Sequence, residues 1–156
     1  MGMSDYIKEL RNKVGHMLLQ LPSVTIITFD PSGRLLLVKH RDTGKWVAPG
    51  GAVEPCENPA DAAVREMREE TGLKVKLLGI IGVYGGPEFV VHYPNGDKVS
   101  YVMTVFKGRV VGGKLGPIDN ECTEAAYFSH EEVSSLDMPP WLTAILPDIF
   151  QQKQSV

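Results

Sequence analysis

The chain has 156 residues, of which 43% are apolar and 22% charged, with a net charge of −3. That length suffices for one domain with its own hydrophobic core, and the mild acidity argues against the basic stripe that duplex nucleic acid requires. Two cysteines, Cys56 and Cys122, cannot build a disulfide framework, and without a CxxC pair they do not read as structural zinc ligands.

From Ser4 to Leu19, the residues Ile7, Leu10, Val14, Met17 and Leu18 recur at three-and-four spacing behind Ser4 as N-cap, which predicts a helix weakened at Gly15. Its charged residues Asp5, Lys8, Glu9, Arg11 and Lys13 are foreign to a secretory signal. No later run is long enough to span a bilayer, so a cytoplasmic address without a membrane partner is expected. Met1-Gly2 is followed by Tyr6 rather than Ser or Thr at position 6, so it is not read as a myristoylation start.

Val24–Phe29 and Arg34–His40 read as strands joined by the turn Asp30-Pro31-Ser32-Gly33. Trp46–Gly51 reads as a short strand entering a Pro-Gly-Gly loop. A helix is expected over Pro59–Thr71, with Asn58 as cap, Pro59 at its first position and Gly72 as its stop. Val75–Tyr84 is apolar and β-branched enough for a strand. Phe89–Tyr93 and Lys98–Val111 flank the hairpin signal Pro94-Asn95-Gly96-Asp97. Gly112-Gly113 is expected to break the chain before a last strand at Ala125–Phe128. Ser129 with Glu132 resembles a capping box, and Trp141–Gln151 reads as a final helix that Pro147 would bend or stop. There is no repeat or linker, so a single domain over residues 1–156 is expected, with one mixed sheet covered by helices on both faces.

On the helix at 59–71, Ala60, Ala63, Val64 and Met67 fall on one stripe, expected to face the core. Glu66, Glu69 and Glu70 share a neighbouring face. Acidic helix faces are usually just solvated, but like charges three and four apart destabilise a helix and invite a cation. Hard oxygen donors favour Mg²⁺, Mn²⁺ or Ca²⁺ over zinc. Gly50 and Gly51 allow the backbone to approach a ligand or metal closely. Arg65, four residues before Glu69, is placed to pair with it, and Glu57 adds a carboxylate near the helix start.

The whole segment reads Gly51, five residues, Glu57, seven residues, then Arg65-Glu66-Met67-Arg68-Glu69-Glu70-Thr71-Gly72-Leu73. This resembles the Nudix box of the MutT-like Nudix hydrolases, and a chance match is rarer than about one in a million from average residue usage. Met67 stands where an aliphatic is usual, and Cys56 where such sequences commonly carry Gly. The similarity extends over about Val24 to Leu136.

The resemblance implies an α/β/α sandwich in which water attacks one phosphorus of a nucleoside diphosphate linked to another group. It implies Mg²⁺ or Mn²⁺ held by Glu66, Glu69, Glu70 and the backbone carbonyl of Gly50 or Gly51, with Glu69 and Glu70 catalytic. Glu57 and Arg65 would support the box. In such proteins the general base often lies outside the box. Glu121 is the expected base, on the loop marked by Gly112-Gly113 and Gly116-Pro117 that also carries Asp119 and Glu124, because a base must reach the attacking water from a segment able to close; Glu124, then Glu57 or another box glutamate, are the alternatives.

Arg41 and Trp46 are candidates for contacting a phosphate and a base. His40, His92 and His130 show no metal spacing, and neither cysteine has an evident histidine partner. Pro87, fifteen residues after Gly72, lies near where ADP-ribose-type members carry a proline, and equally suits a turn. The small-molecule partner implied is a nucleoside diphosphate derivative. A second reading is a non-catalytic nucleotide-sensing or partner-binding domain of the same family, which tends to lose box glutamates. Many relatives are homodimers, and the first helix suits either the sheet or a partner.

Overall fold

The computed structural model of the protein describes residues 4–152; the Met1-Gly2 start lies outside them. The first helix, α1, covers Asp5–Val14, capped by the Ser4 side chain, which accepts from the Ile7 amide. It ends five residues before the expected limit because Gly15 takes φ 62°. Arg11 locks that end, donating to the carbonyls of Gly15 and Met17 and, across the chain, to that of Lys98. Ile7, Leu10 and Val14 pack on Leu19, Leu21, Val99 and Tyr101, so α1 covers a sheet of its own chain.

The strand β1 runs over Leu19–Ile27, five residues earlier than expected. Met17 and Leu18, expected on the helical stripe, lie beyond α1 and are exposed. β2 is Leu35–His40, β3 Trp46–Val47 and β4 Gly50–Ala52. The helix α2 occupies Pro59–Thr71, with the Asn58 side chain accepting from the Ala60 amide and Gly72 at φ 75° closing it. β5 is Leu73–Tyr84, followed by a 3-10 turn at Pro87–Phe89, so Pro87 starts a turn. β6 is Val90–His92, β7 Lys98–Gly113 and β8 Cys122–Phe128. Gly112 and Gly113 therefore stay within a strand, paired with Lys74 and Leu73, instead of breaking it. The Ser129–Glu132 capping box opens the short helix α3, His130–Val133.

The last helix, α4, covers Pro140–Gln151 and runs through Pro147, against the expected bend or stop. Proline removes one helical hydrogen bond. The burial of Trp141, Leu142, Ile145, Ile149 and Phe150 on both sides of it holds the helix together.

The strands form a mixed sheet of order β4-β1-β7-β5, with β6 also on β7, and β1 parallel to β7 over Leu19 to Ile27. The expectation of one sheet is corrected here: β2 leaves the first sheet and forms a second, antiparallel one of order β3-β2-β8. The WVAPGG segment is the crossover. Trp46-Val47 pairs with β2, and Gly50–Ala52 pairs with β1. Ala62, Ala63 and Met67 of α2 pack with Val24, Ile26 and Phe106 of the mixed sheet and Leu36 of the second. α4 packs in the other main core cluster, with Leu35, Leu37 and Val105. The result is the mixed α/β sandwich expected, with its sheets between α2 and α4.

Candidate active site

The polar face of α2 is not a solvated face. Ala62 takes the core position expected of Val64, which is exposed, and the buried stripe then continues through Glu66 and Glu70. Glu66 is 2% exposed and Glu70 fully buried, whereas the Glu69 side chain remains open to solvent. Burying two carboxylates on successive turns is costly unless both are paired.

Glu70 is held at both oxygens. Its Oε1 accepts from the Gly50 amide at 2.8 Å, and its Oε2 accepts from the Cys122 thiol at 3.1 Å. His40 Nε2 stands 3.4 Å from the same Oε2. Gly50 is required by space, since a Cβ there would lie 2.1 Å from the Val24 carbonyl oxygen.

Arg65 ties the acidic residues together. Its Nε and Nη2 donate to the two oxygens of Glu57 at 2.8 and 2.9 Å, and Nη1 donates to Glu66 Oε1 at 3.0 Å and Glu69 Oε2 at 3.3 Å. The fork holds the Glu57 carboxyl below its ordinary range. Glu57 Oε1 also accepts from the Glu54 amide, closing the loop that leads into α2. Within that loop Cys56 has φ 67°, the one positive value on a non-glycine among the described residues. The structure thus explains why glycine is the commoner residue there. Cys56→Gly is expected to stabilise the protein by about 1 kcal/mol, the cost of a side chain in the left-handed region. Denaturant unfolding checks this, and a neutral or negative change contradicts it.

Glu66 Oε2 is buried with no hydrogen-bond partner among the described residues. An orphaned carboxyl oxygen next to a second buried carboxylate, with a third at the surface, fits a divalent cation with hard-oxygen preference. Burial first, then Glu70, pushes the Glu66 carboxyl up to about 8, with Arg65 opposing. The folded chain therefore keeps a proton that the unfolded chain releases. That contribution to stability is full below the ordinary carboxylate range and is lost as pH rises through about 8. In chelator, thermal melts of the wild-type protein should lose stability more steeply than those of Glu66→Gln from about pH 5 to about pH 8. Saturating Mg²⁺ should flatten the wild-type profile. Equal slopes for the two proteins would contradict the assignment.

The loop at 114–121 is docked on the end of α2, where Gly116 donates to the Thr71 carbonyl and both Ile118 and Asp119 donate to that of Glu69. Burial, then Glu70, raises the Asp119 carboxyl. Asp119 Oδ1 accepts from the Glu121 amide, and the Glu121 side chain is half-buried. Arg41 donates through Nε to the Asn120 carbonyl and through its amide to that of Glu121, so it fastens this loop. Trp46 packs edge-on against Phe128, ring centroids 4.8 Å apart.

A cavity of about 340 Å³ opens beside Gly50 and Gly51, with His40, Glu88, Tyr93 and Trp141 also in its wall. Trp46 and Arg41 are not among the described residues that line it. The histidines differ from the sequence reading. His40 reaches the buried carboxylate, His92 lines the cavity, and His130 stacks on Phe150. Cys122 does have a histidine nearby, His40 on the neighbouring strand, a cross-strand pairing that linear spacing does not reveal.

The NUDIX domain family model matches residues 19–149. The "ADP-ribose pyrophosphatase" of Methanocaldococcus jannaschii is 34% identical over 110 residues, 69% of this chain and 61% of that protein. The "Putative 8-oxo-dGTP diphosphatase" of Bacillus subtilis is 47% identical over 64 residues, 41% of this chain and 43% of that protein. The chain thus spans less than two thirds of the length of these curated relatives. Among solved structures, the NUDIX hydrolase from Nitrosomonas europaea superposes with a TM-score of 0.71 at 26% identity, covering 86% of this chain and 90% of that one. With the box carboxylates gathered on α2 and the family match running from β1 into α4, the chain belongs to the Nudix family.

Proposed function

We propose that the protein is a Mg²⁺- or Mn²⁺-dependent hydrolase that cleaves the diphosphate linkage of a nucleoside diphosphate derivative. The observation that carries this reading is the orphaned, buried Glu66 Oε2 beside the buried Glu70. Glu66, Glu69, Glu70 and the Gly51 carbonyl would hold the cation. When bound, it supplies neutralisation of phosphate charge and a lowered pKa for the attacking water. Arg65, clamped by Glu57, keeps Glu66 and Glu69 in register. The Gly50 amide and the Cys122 thiol fix the rotamer of Glu70.

An ADP-ribose-like substrate is the finer reading. It is supported by the printed activity of the Methanocaldococcus relative and by a cavity with aromatic walls, Tyr93 and Trp141, beside the Gly50-Gly51 backbone. Trp46 is better suited to packing than to stacking on a base, and Arg41 to holding the 114–121 loop. The non-catalytic alternative is disfavoured by the complete set of box glutamates. Incubation with Mg²⁺ and a panel of nucleoside diphosphate derivatives separates the two readings: a catalyst releases nucleoside monophosphate, a sensor only binds. The exposed free thiol of Cys56 suits a reducing, cytoplasmic setting.

Glu121 is the proposed general base, carried on the loop that closes over the end of α2. Glu121→Gln should lower kcat by at least about a hundredfold, the lower end of the range for lost acid–base catalysis. It should leave stability nearly unchanged and be partly rescued at higher pH. Asp119 is the competitor the geometry introduces, through its proximity to Glu70. A silent Glu121→Gln beside a crippled Asp119→Asn moves the base two residues back.

A further inference from the structure

Two side chains from outside the motif, His40 and Cys122, converge on Glu70 of the motif. His40 ends β2, Cys122 begins β8, and Glu70 lies in the last turn of α2. A β-bulge between Lys39 and His40 shifts the β2–β8 register, so that His40 pairs with Cys122 while Lys39 pairs with Glu124. Bulges of this kind re-aim side chains next to functional sites. Cys122 Sγ is 3.1 Å and His40 Nε2 3.4 Å from Glu70 Oε2, and the three candidate ligand atoms all lie within 4.8 Å of one another.

We propose that His40 Nε2, Glu70 Oε2 and Cys122 Sγ form a soft-cation site that takes Zn²⁺ and shares Glu70 with the hard-cation site. Tetrahedral zinc, with bonds of about 2.3 Å to sulfur and about 2.0–2.2 Å to nitrogen or oxygen, separates its ligand atoms by roughly 3.3–3.7 Å. The separations of Cys122 Sγ and His40 Nε2 from Glu70 Oε2 lie within a few tenths of an ångström of that range. The donor set also discriminates. Thiolate and imidazole suit zinc, and Mg²⁺ gains nothing from either. Entry is open on one side, because His40 is half-buried and lines the cavity, while Glu70 and Cys122 behind it are buried. Three protein ligands leave a fourth position facing that cavity, the pattern of an exchangeable rather than a closed structural zinc site.

Binding forms a Zn–S bond as the S–H bond of Cys122 breaks and its proton leaves to solvent, with no change of oxidation state. Because one carboxylate serves both sites, occupancy by zinc and by the hard cation is coupled through Glu70, whatever reaction the protein performs.

The test is spectroscopic and independent of turnover. Metal-stripped full-length protein is titrated with Co²⁺ as a zinc surrogate, and zinc affinity is measured by competition with a chromophoric chelator. At one equivalent, Co²⁺ should produce a thiolate-to-cobalt charge-transfer band that persists in Cys56→Ser and vanishes in Cys122→Ser. Zinc affinity should fall at least about a hundredfold in Cys122→Ser and in His40→Ala, since loss even of a partner outside the ligand set costs 10–100-fold. Should Cys122→Ser not fold, the half-buried His40→Ala decides alone. A missing band, a band that follows Cys56, or unchanged zinc affinity in His40→Ala overturns the proposal and leaves the Cys122–Glu70 contact as a hydrogen bond only. Loss of hydrolysis in some other assay would not bear on it.

Discussion

Glu66→Gln is expected to lower turnover at least about 10²-fold, the scale for losing one central electrostatic group, while the metal-free protein folds as well as the wild type or better. Both halves follow from the geometry. Glu66 Oε1 accepts from Arg65, and a glutamine oxygen keeps that bond. Glu66 Oε2 has no partner to lose, so the amide nitrogen replaces an orphan with an orphan. The substitution also removes a buried ionisable carboxyl whose ionisation burial and the neighbouring Glu70 oppose. Glu70→Gln should cost as much activity and be less benign for folding. Both Glu70 oxygens accept, one from the Gly50 amide and one from the Cys122 thiol, so an NH₂ group must face a donor on one side. Wild-type rates in either variant would reduce the cluster to a structural network.

Arg65→Leu should destabilise the protein by about 2–3 kcal/mol and depress activity together. The guanidinium serves three carboxylates, and its removal leaves Glu57 without its fork and the buried Glu66 with no partner at either oxygen. Breaking a buried pair from one side costs about 3–5 kcal/mol. Arg65 is 32% exposed at its side chain, so water absorbs part of the loss. Arg65→Lys keeps the charge but cannot fork onto Glu57, and should fall between the two. Urea unfolding of both variants checks the order. Equal stability of Arg65→Leu and wild type would mean that the ion network is solvated in solution.

Local chemistry was legible from the residues. The Asn58 cap, Pro59 and Gly72 delimit α2 without help from the rest of the fold, and the Ser129–Glu132 box does the same for α3. What depended on distant strands was not. Met17 and Leu18 fit the helical stripe until Gly15 turns the chain, and Leu19, the expected limit of the helix, instead opens β1 against β7. Two sheets in place of one follow from the crossover at Ala48-Pro49, which no periodicity reports. At the site, three-and-four spacing correctly grouped Glu66, Glu69 and Glu70, but could not reveal that two of them point into the core. His40 and Cys122 stand far apart in sequence and carry no motif, and only the β2–β8 register brings them to Glu70. Pro147 was misleading for the complementary reason: tertiary burial outweighed a local breaker.

The central claim is that the carboxylates of α2 act by holding a divalent cation against a diphosphate. The most direct measurement is monophosphate release from ADP-ribose and related nucleoside diphosphate derivatives by metal-stripped protein, before and after Mg²⁺ or Mn²⁺ is restored. The account predicts no release in chelator, release on restoring either ion, and no such recovery in Glu66→Gln. Undiminished release in chelator, or equal recovery in Glu66→Gln, would contradict it.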